Sequence, residues 1–223
     1  LMIRRPPIST LSSSSAASDV YKRQLFEVPP LMVFEYGGDM NKLLDYTSNI
    51  EYEQTPGNLK SIDHYILDCN ELSDLKKFCV KSVAEYLDEV CGFNDEVEIQ
   101  QSWINLNGPG QQHPEHFHPN SLISGVFFLK SDESKNSPLV FKSELHKSNF
   151  SVALPTKDSN TFRPCIAASV MFPSITGTLL LFSSTITHQV PVNKSNTPRV
   201  SLSFNTYPKL PFGDKRGLSY VRG

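Results

Sequence analysis

The sequence predicts an α+β chain that is mainly β, an antiparallel sandwich or barrel buttressed by N-terminal helices. Two observations carry this. A 3.6-residue apolar period runs through "NELSDLKKFCVKSVAEYLDEVCG", and after Gly92 the period falls to two and stays there. The later β-like runs are short and rich in β-branched and aromatic residues. Pro, Asn, Ser and Gly separate them, with no helical pattern in between, which argues against parallel βαβ units.

The elements follow in order. Residues 1–24, "LMIRRPPISTLSSSSAASDVYKRQ", combine a Ser run, basic residues and prolines with no core-forming period. Their apolar stretches are too short for a signal peptide, so the segment is expected to be disordered and outside the core. It also resembles the translation of a sequencing adapter, which makes it an expected artefact. Residues 25–223 read as a single domain, with helical support over 39–92 and a β core over 96–207. "LFEVPPLMVFEY" (25–36) reads as an entry strand interrupted by Pro29 and Pro30, and 39–50 as a short helix. "EQTPGNLKS" reads as a loop, because Pro56 and Gly57 are turn signals. Leu72, Leu75, Cys79, Val83, Leu87 and Val90 form one helical stripe, with Asn70 expected to cap its start and Gly92 its end. In "EVEIQQSWIN", Val97, Ile99 and Trp103 alternate with polar residues, as on a strand with one covered face. The strand runs "LISGVFFLK", "PLVFK", "SVMFPS", "GTLLLFSS" and "RVSLSFNTY" follow, with 131–138 and 155–160 expected as exposed hairpin loops.

Composition narrows the function. With 223 residues, 39% of them hydrophobic, the chain can bury one substantial core. A net charge of −2 gives no basic excess of the kind nucleic-acid binding uses. No apolar run approaches the roughly 18 residues of a membrane span, and a soluble protein is expected. Cys69, Cys79, Cys91 and Cys165 form no CxxC pair, which fits reduced thiols in a cytoplasmic protein.

The densest chemical signal is "QQHPEHFHPNS", with three of the six histidines and a glutamate. On an unbroken strand His113 and Glu115 share one face, and His116 and His118 share the other. Pro114 lacks an amide donor and suits a loop or edge, which favours His116 and His118 as the inward pair. Far along the chain, His188 follows an apolar strand and precedes Arg199. Arg199, Ser201, Ser203 and Asn205 share one face of the last strand, while Val200, Leu202 and Phe204 share the other. The polar face is expected to line a wet cavity, and an inward arginine there needs an anionic partner. Trp103 and Asn105 are candidate pocket residues, with core packing and a strand-end turn as the competing reading. His64 and His146 stand alone and read as surface or loop residues.

The order of these motifs resembles the 2-oxoglutarate/Fe(II)-dependent dioxygenases, over roughly residues 25–210. "PGQQHPEHFH" is similar to the Pro-Gly turn and metal-binding His of the prolyl-hydroxylase-like branch. "SWINLNGPG", "HFHPNSLISGVFFLK" and "GTLLLFSSTITHQVPVNKSNTPRVSLSFN" together resemble a subgroup from bacteria, marine phages and metagenomes with His-x-His-Pro followed by Ser-Gly-Val. The resemblance implies a double-stranded β-helix, or jelly roll. It implies His116 and His188 as Fe(II) ligands, Arg199 with Ser201 as the partners of the far 2-oxoglutarate carboxylate, and dioxygen as co-substrate. The products would be succinate, CO2 and a hydroxylated substrate, with a protein or peptide side chain favoured by analogy. His118 stands where that family has a carboxylate ligand, so the third ligand is expected to be His118, with Glu115, turned inward by a β-bulge, or His113 as alternatives. Two other functions fit the same residues: a three-His metal dioxygenase that does not use 2-oxoglutarate, and a non-catalytic jelly-roll binding module such as a phage accessory protein.

Overall fold

The computed structural model describes residues 31–93, 95–132, 135, 137–142 and 169–223. The expected leader, Pro29, Pro30, His146, Cys165 and the 155–160 loop lie outside these residues.

Two antiparallel sheets face each other. The larger has seven strands in the order β1-β9-β6-β11-β4-β3-β2 and the smaller four, β5-β10-β7-β8. In chain order the strands are β1 (Met32–Glu35), β2 (Tyr52–Gln54), β3 (Leu59–Ser61), β4 (Val97–Asn107), β5 (His113–His116) and β6 (Ile123–Lys130). β7 (Leu139–Lys142), β8 (Ser169–Phe172), β9 (Thr178–Ser183), β10 (His188–Val190) and β11 (Arg199–Pro208) complete them. Helices α1 (Met40–Ser48) and α2 (Ser73–Tyr86) cover the outer face of the larger sheet. No helix of the described residues is long and apolar enough to cross a membrane.

Alternation builds two cores from the same strands. Leu75, Cys79 and Val83 of α2 pack with Phe127 of β6, Leu179 and Leu181 of β9, and Leu202 and Phe204 of β11. The opposite faces of β6 and β9 send Val126, Phe128, Leu180 and Phe182 between the sheets, against Leu139, Phe141 and Val190. Burying each large apolar side chain contributes about 1.5–3 kcal/mol, so both faces of β6 and β9 are strongly fixed.

Several local features differ from the sequence reading. The 39–92 region is not all helical support, because β2 and β3 form a hairpin where a loop was expected. Thr55 N–H donates to Asn58 O at 2.9 Å across its turn, and β3 adds to the edge of β4. Asp39 caps α1, accepting from the amides of Asn41 and Lys42. Asn70 is not the cap of α2. It opens a 3-10 turn that leads into the helix, while Gly92, at φ +62°, closes the π-helical turn after it as expected. The expected hairpin at 131–138 is corrected by the strand pairing: β6 lies in the larger sheet and β7 pairs with β10 and β8 in the smaller, so β6 and β7 are not hairpin partners, and Ser137 is buried.

The face expected for Val97, Ile99 and Trp103 is also corrected. Along β11, Asn205 pairs with Gln101 but Thr206 pairs with Ile99, leaving Gln100 as an extra residue. This bulge swaps the faces of β4. Val97 and Ile99 pack toward the helices, as do Ile104 and Leu106 beyond the bulge, whereas Trp103 and Asn105 face between the sheets.

Gly125 pairs directly with Phe204, and a Cβ there would overlap the buried Phe204 ring. Gly125→Ala is therefore expected to destabilise the protein by about 1–3 kcal/mol, read from chemical denaturation, because the ring has no room to yield.

Candidate metal centre

The inter-sheet space is apolar over β6 and β9 and polar over β11 and β4. The polar half opens into a cavity of about 510 Å³. It is lined by His113, His116, His118, His188, Arg199, Ser201, Ser203, Asn205, Asn107, Asn105 and Trp103, among others, and by no carboxylate among the described residues.

His116, His118 and His188 each bring one ring nitrogen to within 4.8 Å of the others. Strand pairing explains two of them. β5 and β10 are antiparallel neighbours, and His116 is the direct partner of His188, so their rings meet with centroids 4.3 Å apart. His118 lies beyond the end of β5. Its amide donates to Ser184 O at 3.0 Å, which folds its ring back to 5.0 Å from His116 and 5.1 Å from His188.

The neighbouring candidates separate on geometry. The β5–β10 register shifts, with His188 opposite His116 but Val190 opposite His113, so β5 holds one extra residue. That bulge turns His113, not Glu115, to the cavity side, where its ring lies 4.4 Å from His116. Glu115 does not line the cavity and sits 3.7 Å from Lys142 at the surface. His64 is a loop residue, as expected, yet it borders the same cavity beside Lys60.

Burial holds the imidazoles neutral. Desolvation is the largest cause for all four, pushing His188 down to about 3, His113 and His118 to about 4, and His116 also below its usual value. Neutral imidazole is the metal-binding form. Carbonyl acceptors fix the rings of His116 and His188: each donates Nδ1–H to the carbonyl two residues earlier, Pro114 O and Ile186 O, both at 2.8 Å. That leaves Nε2 as the lone-pair nitrogen.

Arg199 is 1% exposed. Its Nε donates to Ser174 Oγ and its Nη1 to Ser201 Oγ, both at 3.0 Å, while its guanidinium lies 5.2 Å from the centre of the Phe128 ring. Nη2 has no hydrogen-bond partner. Burial lowers its pKa only to about 10, so it stays charged at neutral pH. Asn107, the cross-strand partner of Arg199, is likewise buried with both amide atoms unpaired. Asn107 was missed in the sequence, although it continues the Trp103–Asn105 face by two residues. Orphaned donors of this kind in a cavity fit an anion with carboxylate geometry.

The structure has the fold of 2OG-Fe(II) oxygenases. It is similar to an oxidoreductase of that family from Burkholderia pseudomallei (TM-score 0.57, 13% identity, 79% of this chain and 84% of that one). It is also similar to HygX from Streptomyces hygroscopicus with nickel, 2-oxoglutarate and hygromycin B bound (0.58, 12%, 82% and 84%). A third similar structure is the α-ketoglutarate-dependent epimerase SnoN from nogalamycin biosynthesis (0.57, 14%, 80% and 76%). At these identities the likeness is one of fold. In sequence, residues 101–205 match the family model described as "Putative 2OG-Fe(II) oxygenase", a span that includes His116, His118, His188 and Arg199. The partial family match points to the 2OG-Fe(II) oxygenases, and the structural likeness supports their fold. No curated protein matches the chain.

Without metal, the unfolded chain takes up protons at His113, His118 and His188 near pH 6.5, while the folded chain resists until about pH 3–4. Between these values the unfolded state binds more protons, so the stability is complete above about pH 6.5 and is lost as pH falls. The melting temperature of the metal-free protein should therefore drop from about pH 7 to about pH 5, measured by circular dichroism; a flat profile would contradict the buried neutral state.

Proposed function

We propose that the chain is a 2-oxoglutarate- and Fe(II)-dependent dioxygenase that hydroxylates an organic substrate. One observation carries this reading: three imidazoles converge in the same cavity as a buried arginine whose Nη2 has no partner, and no carboxylate lines it among the described residues. On this reading the two facing sheets are the double-stranded β-helix of the family. Fe(II) with 2-oxoglutarate would supply dioxygen activation coupled to decarboxylation to succinate and CO2.

The chain's own residues then have distinct tasks. His116, His118 and His188 hold the metal, the first and last through Nε2. Arg199 Nη2 takes the far carboxylate of 2-oxoglutarate, with Ser201 holding Nη1 in place and Asn107 offering a second amide donor. Val126, Leu139 and Val190 form the apolar wall that keeps water from the carboxylate–guanidinium pair, which strengthens it. Trp103, whose ring lies 5.9 Å from His118, faces the remaining space, where substrate would enter beside Asn105. The likeness of "PGQQHPEHFH" to the prolyl-hydroxylase-like branch favours a protein or peptide side chain as substrate. Cys69, Cys79 and Cys91 are free thiols, which supports a cytoplasmic setting.

Anaerobic titration with Fe(II), with and without 2-oxoglutarate, tests the reading. The visible charge-transfer band of the chelated co-substrate is expected. Iron binding without that band favours a three-His dioxygenase that does not use 2-oxoglutarate, and no iron binding favours a non-catalytic module. Arg199→Ala should raise the KM for 2-oxoglutarate by about 10–100-fold, the loss of a charge-assisted hydrogen bond, while leaving Fe(II) affinity within about twofold. Unchanged succinate production at low 2-oxoglutarate would argue against the role of Arg199.

A further inference from the structure

The third imidazole is oriented differently from the other two. His116 and His188 hold Nδ1–H against backbone carbonyls, but the Nδ1 of His118 faces the amide nitrogen of Asn205 at 3.4 Å. An amide nitrogen only donates. In that arrangement Nδ1 carries the lone pair, so a neutral His118 ring carries its proton on Nε2 and cannot ligate through it. Binding through Nε2 moves the ring proton to Nδ1, and the new Nδ1–H needs an acceptor. Asn205 is the side chain at that position, and only its Oδ1 can accept.

Asn205 Oδ1 is held by a chain of hydroxyls. Ser124 Oγ donates to it at 2.9 Å, Ser124 Oγ lies 2.8 Å from Ser184 Oγ, and Ser184 Oγ lies 2.7 Å from Ser121 Oγ. Ser121 Oγ lies 3.3 Å from the carbonyl of Ile123, to which it can donate. Ser124 and Ser184 are fully buried. A hydroxyl both donates and accepts, so this chain can run in either direction with its heavy atoms in place. In the reverse sense Asn205 Nδ2–H donates to Ser124, Ser124 to Ser184, Ser184 to Ser121, and Ser121 to Ile123 O. Every buried group stays satisfied, and Asn205 Oδ1 is free to accept from His118.

We propose that Asn205 is a positioning residue for His118: metal binding through Nε2 is coupled to a half-turn of the Asn205 amide, which the Ser124–Ser184–Ser121 chain permits by reversing its hydrogen bonds. The change is proton-neutral at His118, since one proton leaves Nε2 for solvent and one arrives at Nδ1. This inference rests on the reading that the three imidazoles hold a metal.

Zn(II) serves as the probe, because it needs neither 2-oxoglutarate nor turnover. In 15N NMR of the histidine rings, the metal-free protein should show Nδ1–H at His116 and His188 but Nε2–H at His118, and the zinc-loaded protein Nδ1–H at all three. Asn205→Asp presents only acceptors, so it should place Nδ1–H on His118 before metal is added and tighten Zn(II) binding in chelator competition. Asn205→Leu removes the acceptor and should weaken binding by about 10–100-fold. The inference is overturned if His118 keeps Nε2–H with zinc bound, or if Asn205→Asp binds zinc no more tightly than the unaltered protein. If the unaltered protein binds no zinc, the metal site itself fails, and this coupling with it.

Discussion

The structure depends on how β11 is held. It is hydrogen-bonded to β4 along one edge and to β6 along the other, so its backbone is satisfied on both sides and its register is doubly specified. Val200, Leu202 and Phe204 then lock one face into the core beneath α2. A slip of one residue would drive Arg199 and three polar side chains into that core. The apolar face thus fixes the polar one: Arg199, Ser201, Ser203 and Asn205 are presented between the sheets by a strand that cannot rotate. The cavity is polar because β11 and its neighbour β4 are two-faced, and Val126, Leu139 and Val190 give it an apolar border.

Much of this was legible from residue spacing. The two faces of β11 follow from strict alternation, and the α2 stripe from its 3.6-residue period. His116, His118, His188 and Arg199 were all singled out, and they border one cavity. What spacing could not reveal lies at two bulges. The extra residue at Gln100 exchanges the faces of β4, and the extra residue in β5 brings His113 round to join His116. A parity argument assumes an unbroken ladder, and both ladders break beside the cavity, where side chains are re-aimed. The β2–β3 hairpin was missed for another reason. Its strands are three residues each, too short for any alternation to register, and they form as an added edge on β4.

The electrostatics of the cavity put a condition on whatever fills it. Arg199 keeps its charge in a fully buried position, with two neutral serine oxygens and an aromatic face as its surroundings. A buried charge supported only in this way remains costly unless a counter-charge arrives. The converging rings add none, because burial keeps them neutral, and a carboxylate among them would have offset part of the cost. A divalent metal at the imidazoles would add further positive charge to the same space. With no carboxylate lining the cavity among the described residues, the balancing negative charge has to come from a ligand. A dianion that reached from the imidazoles to Arg199 would meet both needs, and a cavity lined by neutral rings rather than a carboxylate leaves more of that balance to the ligand.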